Sequence, residues 1–306
     1  MSSIDYALLG TVTVTFNPDI LLLKAQFRAL PSESPKVVVD NASDQALMLQ
    51  IEQLSEEFEH VAIVRNEKNI GLAAAINQGV QQLSAMAPKT LYVLLLDQDS
   101  VPIAQSVYTL LAVYNALAAK DKNVGCVGPY LFDPATQLAH GFHQVRRWHW
   151  KRVYPPRGSS EAVACVNLNG SGTLTSIELF QALGGVDEKL FIDHVDTDWA
   201  FRVQASGHTL WGAPSAIFEH CMGQNSVRLW CFGWRLWPLR TPKRQYFLYR
   251  NAIFLMKKPY VPSVWKVWAI AKLILTMLIT AVVGPERNKQ IRNMLKGIVD
   301  GVQGGE

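Results

Sequence analysis

Four short apolar runs, each ending in polar residues and separated by helical stretches, dominate the first hundred positions. Leu8 to Phe16 is rich in β-branched residues and stops at Asn17-Pro18, a turn signal. Val37-Val38-Val39 runs into Asp40-Asn41, Val61 to Val64 into Arg65-Asn66, and the wholly apolar Leu91 to Leu96 into Asp97-Gln98-Asp99. Between them, Ile20 to Leu30, Leu47 to Phe58 and the Ala-rich Gly71 to Met86 carry helical spacing. Strand and helix in repetition predict an α/β fold with a doubly wound, mostly parallel sheet and right-handed crossovers. A strand that is apolar at every position, as Leu91 to Leu96 is, belongs at the centre of such a sheet, buried on both faces.

Ligands of doubly wound sheets bind beyond the carboxyl ends of the strands. That end collects Thr15, Asn17, Asp40, Asn41, Arg65, Asn66, Asn69, Asp97 and Asp99 around one crevice. Any one Asp or Asn there is explained as a turn cap, but four consecutive strands ending this way point to a binding site. Asp97 and Asp99, two apart in extended backbone, point the same general way. Paired carboxylates suit a hard divalent cation, Mg²⁺ or Mn²⁺, held against a nucleotide diphosphate. Such a cation offsets charge developing on the leaving group.

The second half is less regular. Segment 141–161 is basic and aromatic, with Arg146, Arg147, Trp148, Trp150 and Arg152, and reads as a loop or hairpin. Asn169-Gly170-Ser171-Gly172 interrupts a strand-like stretch; a helix from Ser176 to Leu183 is stopped by Gly184-Gly185; another begins near Asp196. Asp193, Asp196 and Asp198 form an acidic cluster at that helix start. Like charges raise a carboxylate's proton affinity, which suits a general base, while the helix dipole opposes the shift. His220 follows another apolar strand and is either structural or a further metal ligand.

Hydrophobic residues make up 49% of the 306, enough for a substantial core. A net charge of +4, from 29 basic and 25 acidic side chains, is too mild for a nucleic-acid partner. Cys126, Cys165, Cys221 and Cys231 show no metal-like spacing and read as free thiols. The first residues lack a basic segment followed by a long apolar run, so the expected location is the cytoplasm. Val261 to Val283 is strongly apolar but broken by Lys266 and Lys272. It reads as a helix lying on a membrane surface, at the inner face of the cell membrane, with Trp265 and Trp268 at headgroup level. A buried helix or an oligomer interface is the alternative.

The ordered set TFNP, VVVDNAS, RNEKNIGLAAAINQG, LLLDQDS and GGVDEKLFIDHVDTDWAFR resembles family 2 glycosyltransferases of the GT-A fold, over about residues 8 to 220. The DQDS form, the NGSGTL stretch and FIDHVDTDWAFR narrow the resemblance to bacterial rhamnosyltransferases that use dTDP-L-rhamnose. The resemblance implies a GT-A domain over residues 1–225, with a nucleotide-sugar half at 1–100 and an acceptor half at 101–225. A helical, membrane-associated region then covers 226–306. It implies that Thr15, Asn17, Asp40, Asn69, Gly71 and Asp97 bind the donor, with Arg202 and Arg250 as basic partners. Asp99 is implied as the direct metal ligand, Asp97 lies near the metal, and His220 completes the set. Asp196 matches the catalytic base of an inverting transfer, and Val195 stands where the family's pair usually has Glu. The implied acceptor is a growing cell-surface polysaccharide such as O-antigen, or a lipid-linked glycan. The alternatives are a transferase using another donor such as a UDP-hexose, a nucleotidyltransferase, and an inactive membrane-associated carbohydrate-binding protein. The nucleotidyltransferase lacks its usual Gly-rich basic loop at TFNPDI.

Overall fold

The computed structural model describes residues 8–120, 123–220, 226–230 and 234–304. In chain order the strands are β1 Leu9–Thr15, β2 Lys36–Asp40, β3 Val61–Arg65, β4 Tyr92–Asp97, β5 Ser100–Pro102, β6 Val124–Asp133, β7 Leu138–Ala139 and β8 Phe142–Arg146. They continue as β9 His149–Val153, β10 Val163–Cys165, β11 Thr173–Ser176, β12 Thr209–His220, β13 Ser226–Trp230 and β14 Trp234–Pro238. The helices are α1 Ile20–Ala29, α2 Gln45–Glu56, α3 Leu72–Met86, α4 Ser106–Ala118, α5 Ile177–Ala182, α6 Val195–Ala205, α7 Pro242–Met256, α8 Ser263–Val283 and α9 Arg287–Gln303.

The main sheet runs β10-β12-β6-β11-β4-β1-β2-β3, with β5 pairing β12 and β7 pairing β6. The first four strands are parallel, as the alternating pattern predicts, and β4 lies inside the sheet with Val93 and Leu94 fully buried. Their register puts Thr15 opposite Asp40, Asp40 opposite Arg65, and Val14 opposite Asp97. All four polar strand ends therefore lie at one edge. Beyond β4 the sheet becomes mixed: β11 inserts antiparallel between β4 and β6. The basic, aromatic segment forms the β8–β9 hairpin.

Local chemistry sets the helix starts. The Asp19 carboxylate accepts the backbone N–H groups of Leu21 and Leu22 and opens α1. Ser176 caps α5, and Thr241 followed by Pro242 opens α7. Cys126 and Cys165 are free and buried, while Cys221 and Cys231 lie outside the described residues. Trp265 departs from its expected place at a headgroup surface. It is buried inside the molecule, edge-on to both His194 and Phe201 at 5.6 Å, because the inward stripe of α8 covers α6. Trp268 is half-buried against Trp150 of the hairpin.

Helix α3 lies unusually close to the sheet. A Cβ on Gly79 would stand 2.4 Å from Val12 Cγ1 and 3.0 Å from Val39 Cγ2. Replacing a helical Gly by Ala ordinarily stabilises by about 0.5–1 kcal/mol. Here overpacking dominates, so Gly79→Ala is expected to lower stability by about 1–3 kcal/mol. Urea denaturation checks this, and an unchanged or raised midpoint contradicts the close packing.

Candidate active site

Strand β4 ends at Asp97, Gln98 and Asp99 form a tight turn, and β5 begins at Ser100. The pair is thus carried on a turn, not on extended backbone as the sequence suggests. It still converges: ligand atoms of Asp97, Asp99 and His220 lie within 4.8 Å of one another. His220 arrives from the end of β12, which pairs antiparallel with β5 so that His220 faces Ser100. Its Nδ1 lies 2.8 Å from Ser100 Oγ and 3.4 Å from Asp99 Oδ1, leaving Nε2 for a ligand. Burial works against a charged imidazole, but the Asp99 and Asp97 carboxylates outweigh it and hold His220 above its ordinary value. The Asp97 carboxyl is raised by burial, offset in part by His220. Two carboxylates and one imidazole, mutually close and sharing excess negative charge, fit a hard divalent cation.

Two polar side chains that sequence reasoning missed hold this turn. Gln26 of α1 is fully buried. Its Nε2 donates to the Asp97 carbonyl at 2.8 Å and the Ser100 carbonyl at 2.7 Å, while its Oε1 accepts from Thr13 Oγ1. Ser171, in the Asn169–Gly172 turn, is hydrogen-bonded to the Ser100 hydroxyl and reaches the Asp97 N–H at 3.4 Å. The visible signal for Ser171 was its place in NGSG; Gln26 reads as an ordinary helix residue.

The residues expected at the donor form a second network at the same strand ends. Asp40 accepts Thr15 Oγ1 at 2.9 Å, the Ser43 N–H at 2.9 Å and the Ser43 hydroxyl. Asn17 takes the Asp44 N–H on its Oδ1. Asn41 donates to Asn69 Oδ1 and the Gly71 carbonyl and accepts the Ile70 N–H. Gly71 has φ +91°, and a Cβ there would sit 2.6 Å from the Phe191 ring. The Asn69–Gly71 turn therefore lies directly against the loop that leads to Asp196.

Asp196, in the first turn of α6, is half-buried. Its Oδ1 accepts the Thr197 N–H at 2.8 Å, and the Gly170 N–H also reaches the carboxylate. Burial raises its carboxyl to about 6, opposed by the Thr197 N–H and assisted by the charge of Asp97. Asp196 lines a cavity of about 110 Å³ together with His140, His143, Arg152, Asn167 and Ser171. Burial, then the charge of Arg152, pushes both of these histidines down to about 3, so both are neutral.

The two arginines expected at the donor are engaged within the protein. Arg202 donates to Asp198 Oδ2 at 2.8 Å and to the Leu183 and Gly185 carbonyls. Arg250 donates to the Lys189 carbonyl and to Asn251 Oδ1, with its guanidinium over the Phe247 ring. Asn251 is fully buried, and its amide donates to the carbonyls of Leu190, Ile192 and Asp193 at 2.7, 2.8 and 2.9 Å.

A sheet of this order, with aspartates after its fourth strand and a histidine brought beside them by a later one, has the GT-A type of fold. Residues 32–162 match the model described as Glycosyl transferase family 2. The chain is 28% identical over 299 residues to the dTDP-rhamnosyl transferase RfbF of Shigella flexneri, covering 96% of this chain and 95% of that one. Two solved structures share the fold. GalNAc-T7 with UDP, GalNAc and Mn²⁺ superposes with a TM-score of 0.57 at 18% identity, over 92% of this chain and 58% of that one. The mannosyltransferase PcManGT of Pyrobaculum calidifontis with GDP-Man and Mn²⁺ gives 0.56 at 13% identity, over 98% and 88%. The chain is thus similar in sequence to family 2 glycosyltransferases, over residues 32–162 and along its length to the Shigella flexneri enzyme.

Supporting side chains of a metal site typically contribute about 10- to 100-fold in affinity. Gln26→Leu is therefore expected to weaken Mn²⁺ binding by about that factor while the fold persists. Calorimetric Mn²⁺ titration checks it, and parental affinity would show that the turn holds itself.

Proposed function

We propose that the chain transfers L-rhamnose from dTDP-L-rhamnose to a saccharide hydroxyl, with inversion at the anomeric carbon. The acceptor belongs to a growing cell-surface polysaccharide or a lipid-linked glycan. The observation that carries the reading is Asp196: a carboxylate lining a cavity, with its pKa raised by burial, and close enough to Asp97 to feel its charge. The rhamnosyl donor is supported by the similarity to the Shigella flexneri enzyme along nearly its whole length.

In this mechanism the Asp196 carboxylate takes the proton of the acceptor hydroxyl as that oxygen attacks the anomeric carbon. The bond from that carbon to the diphosphate breaks, and its electrons leave with the nucleotide. Asp97, Asp99 and His220 would hold Mg²⁺ or Mn²⁺, which when bound would offset charge on the departing diphosphate. Thr15, Asn17, Asp40, Asn69 and Gly71 shape the site for the nucleoside and sugar.

The base must be ionised to act, so turnover should rise with pH through about 6 and level off above it. Asp196→Asn should lower turnover by about 10²–10⁴-fold and leave dTDP binding close to parental. Product formation from dTDP-L-rhamnose across pH 4.5–8, roughly spanning that value, checks both. Near-parental turnover in the variant would remove Asp196 from the role. Turnover with UDP-hexoses alone would replace the donor.

We also infer that the C-terminal helices rest on a membrane surface. Helix α8 has 21 residues and is long and apolar enough to cross a membrane by length and composition, with 17% of its apolar window buried. Its outward stripe is Val267, Ile270, Ile274, Leu278 and Val282. On α9, Leu295, Val299 and Val302 form a second exposed stripe. Leu273 and Met277 of α8 and Ile298 of α9 pack against one cluster, Leu248, Tyr249 and Met294, which ties both helices to α7. Lys266 falls on one shoulder of the α8 stripe by helical rotation of 100° per residue, while Lys272 turns over the Trp268 ring at 4.7 Å. From residue 257 to 304 the basic side chains are Lys257, Lys258, Lys266, Lys272, Arg287, Lys289, Arg292 and Lys296, against Glu286 and Asp300. An apolar face bordered by cations suits an anionic lipid surface. Leu278→Glu with Val299→Glu should abolish flotation with anionic vesicles. Parental flotation in that variant contradicts the assignment, and resistance to alkaline extraction would indicate a true span.

A further inference from the structure

A nucleotide diphosphate brings several negative charges to a site that already holds Asp97 and Asp99. One divalent cation does not balance them, so a basic side chain is required nearby. Arg202 and Arg250 are committed to carbonyls and to Asp198 and Asn251. Among the described residues a third arginine has neither commitment to backbone nor deep burial. Arg244, in the first turn of α7, has a side chain 48% exposed. Its side chain pairs with Asp193, through Nη2 at 2.8 Å to Oδ1 and through Nε at 3.3 Å to Oδ2.

Asp193 itself is nearly buried, at 7%, and has a second cation in Arg240 at 3.8 Å. Losing Arg244 would therefore not strand a lone buried carboxylate. The Asp193 site lies three residues before Asp196, on the loop that touches the Asn69–Gly71 turn. The charge of Arg244 is felt at Asp97, and that of Asp97 at Arg244. Arg244 is thus a half-exposed, fork-shaped donor paired to the loop that leads to Asp196 and abuts the Asn69–Gly71 turn, and its carboxylate partner keeps a second cation without it.

Resting on the glycosyltransferase reading, we propose that Arg244 binds the donor's diphosphate, exchanging its Asp193 carboxylate for phosphate oxygens when the nucleotide arrives. Guanidinium N–H groups then donate to those oxygens, and Asp193 keeps Arg240. The guanidinium fork matches two oxygens at once, which an ammonium does not.

The test is calorimetric titration of the full chain with dTDP in the presence of Mn²⁺, with thymidine as the probe that lacks phosphate. Arg244→Ala is expected to weaken dTDP binding about 10- to 100-fold, the usual scale for a charge-assisted hydrogen bond, and to leave thymidine binding unchanged. Arg244→Lys should recover part of the loss. Because Arg244 is half exposed, folding is not at risk, and an unchanged circular dichroism spectrum verifies this. If the parent binds UDP instead of dTDP, the same comparison is made with UDP and uridine. Equal diphosphate affinity in parent and Arg244→Ala overturns the inference while leaving the glycosyltransferase reading intact. Equal loss of thymidine and dTDP binding overturns it too, since the role would then be structural. A parent that binds no nucleotide overturns both.

Discussion

The turn from Asp97 to Ser100 is the constraint on which the site depends, and the buried amide of Gln26 holds it. A metal site requires its ligands to be fixed by the groups behind them. Here those groups come from three distant parts of the chain. Gln26 from α1 grips both ends of the turn through carbonyls, Ser171 from the Asn169–Gly172 turn meets Ser100, and Ser100 meets His220 from β12. The order of the sheet makes this possible, because β11 and β12 bring later segments back beside the end of β4. The ends of the first four strands and the later half of the chain therefore share one polar seam.

The loop before α6 carries a comparable constraint. Phe191, Asp193 and His194 all have φ near +60°, conformations that cost a non-glycine residue on the order of 1–3 kcal/mol each. Asn251 donates to three carbonyls of this loop, and Phe247 stacks on Phe191 at 4.7 Å with the rings 11° apart. Helix α7 thus compensates the strain that turns the chain into α6 and points Asp196 at its cavity. The same loop abuts Gly71, so the Asn69–Gly71 turn and the loop that leads to Asp196 are in direct contact.

What was legible in the sequence follows from periodicity. The all-apolar Leu91–Leu96 run, the β-branched first strand and the polar residues after each strand are local patterns, and they put Asp40, Asp97 and Asp99 at one edge. Less legible was whatever depends on a partner far along the chain. Gln26 and Asn251 look like ordinary helix residues until their carbonyl partners, 71 and 58 or more positions away, are known. Arg202 and Arg250 look like free cations because backbone acceptors leave no mark in a sequence. Trp265 looks like an interfacial aromatic because helical rotation alone does not say which stripe of α8 faces α6. The short β11, four residues long, gives too little pattern to reveal that the sheet turns antiparallel beside β4.

The most direct measurement of the central claim is the anomeric configuration of the product, read by NMR from single-bond carbon–proton couplings after turnover of dTDP-L-rhamnose with Mn²⁺. A single displacement, with Asp196 removing the acceptor proton and the metal-ligand cluster at the departing diphosphate, predicts a glycosidic bond inverted relative to the donor. A product that retains the donor's configuration would contradict it, since retention requires a different arrangement of reacting groups from the one built here.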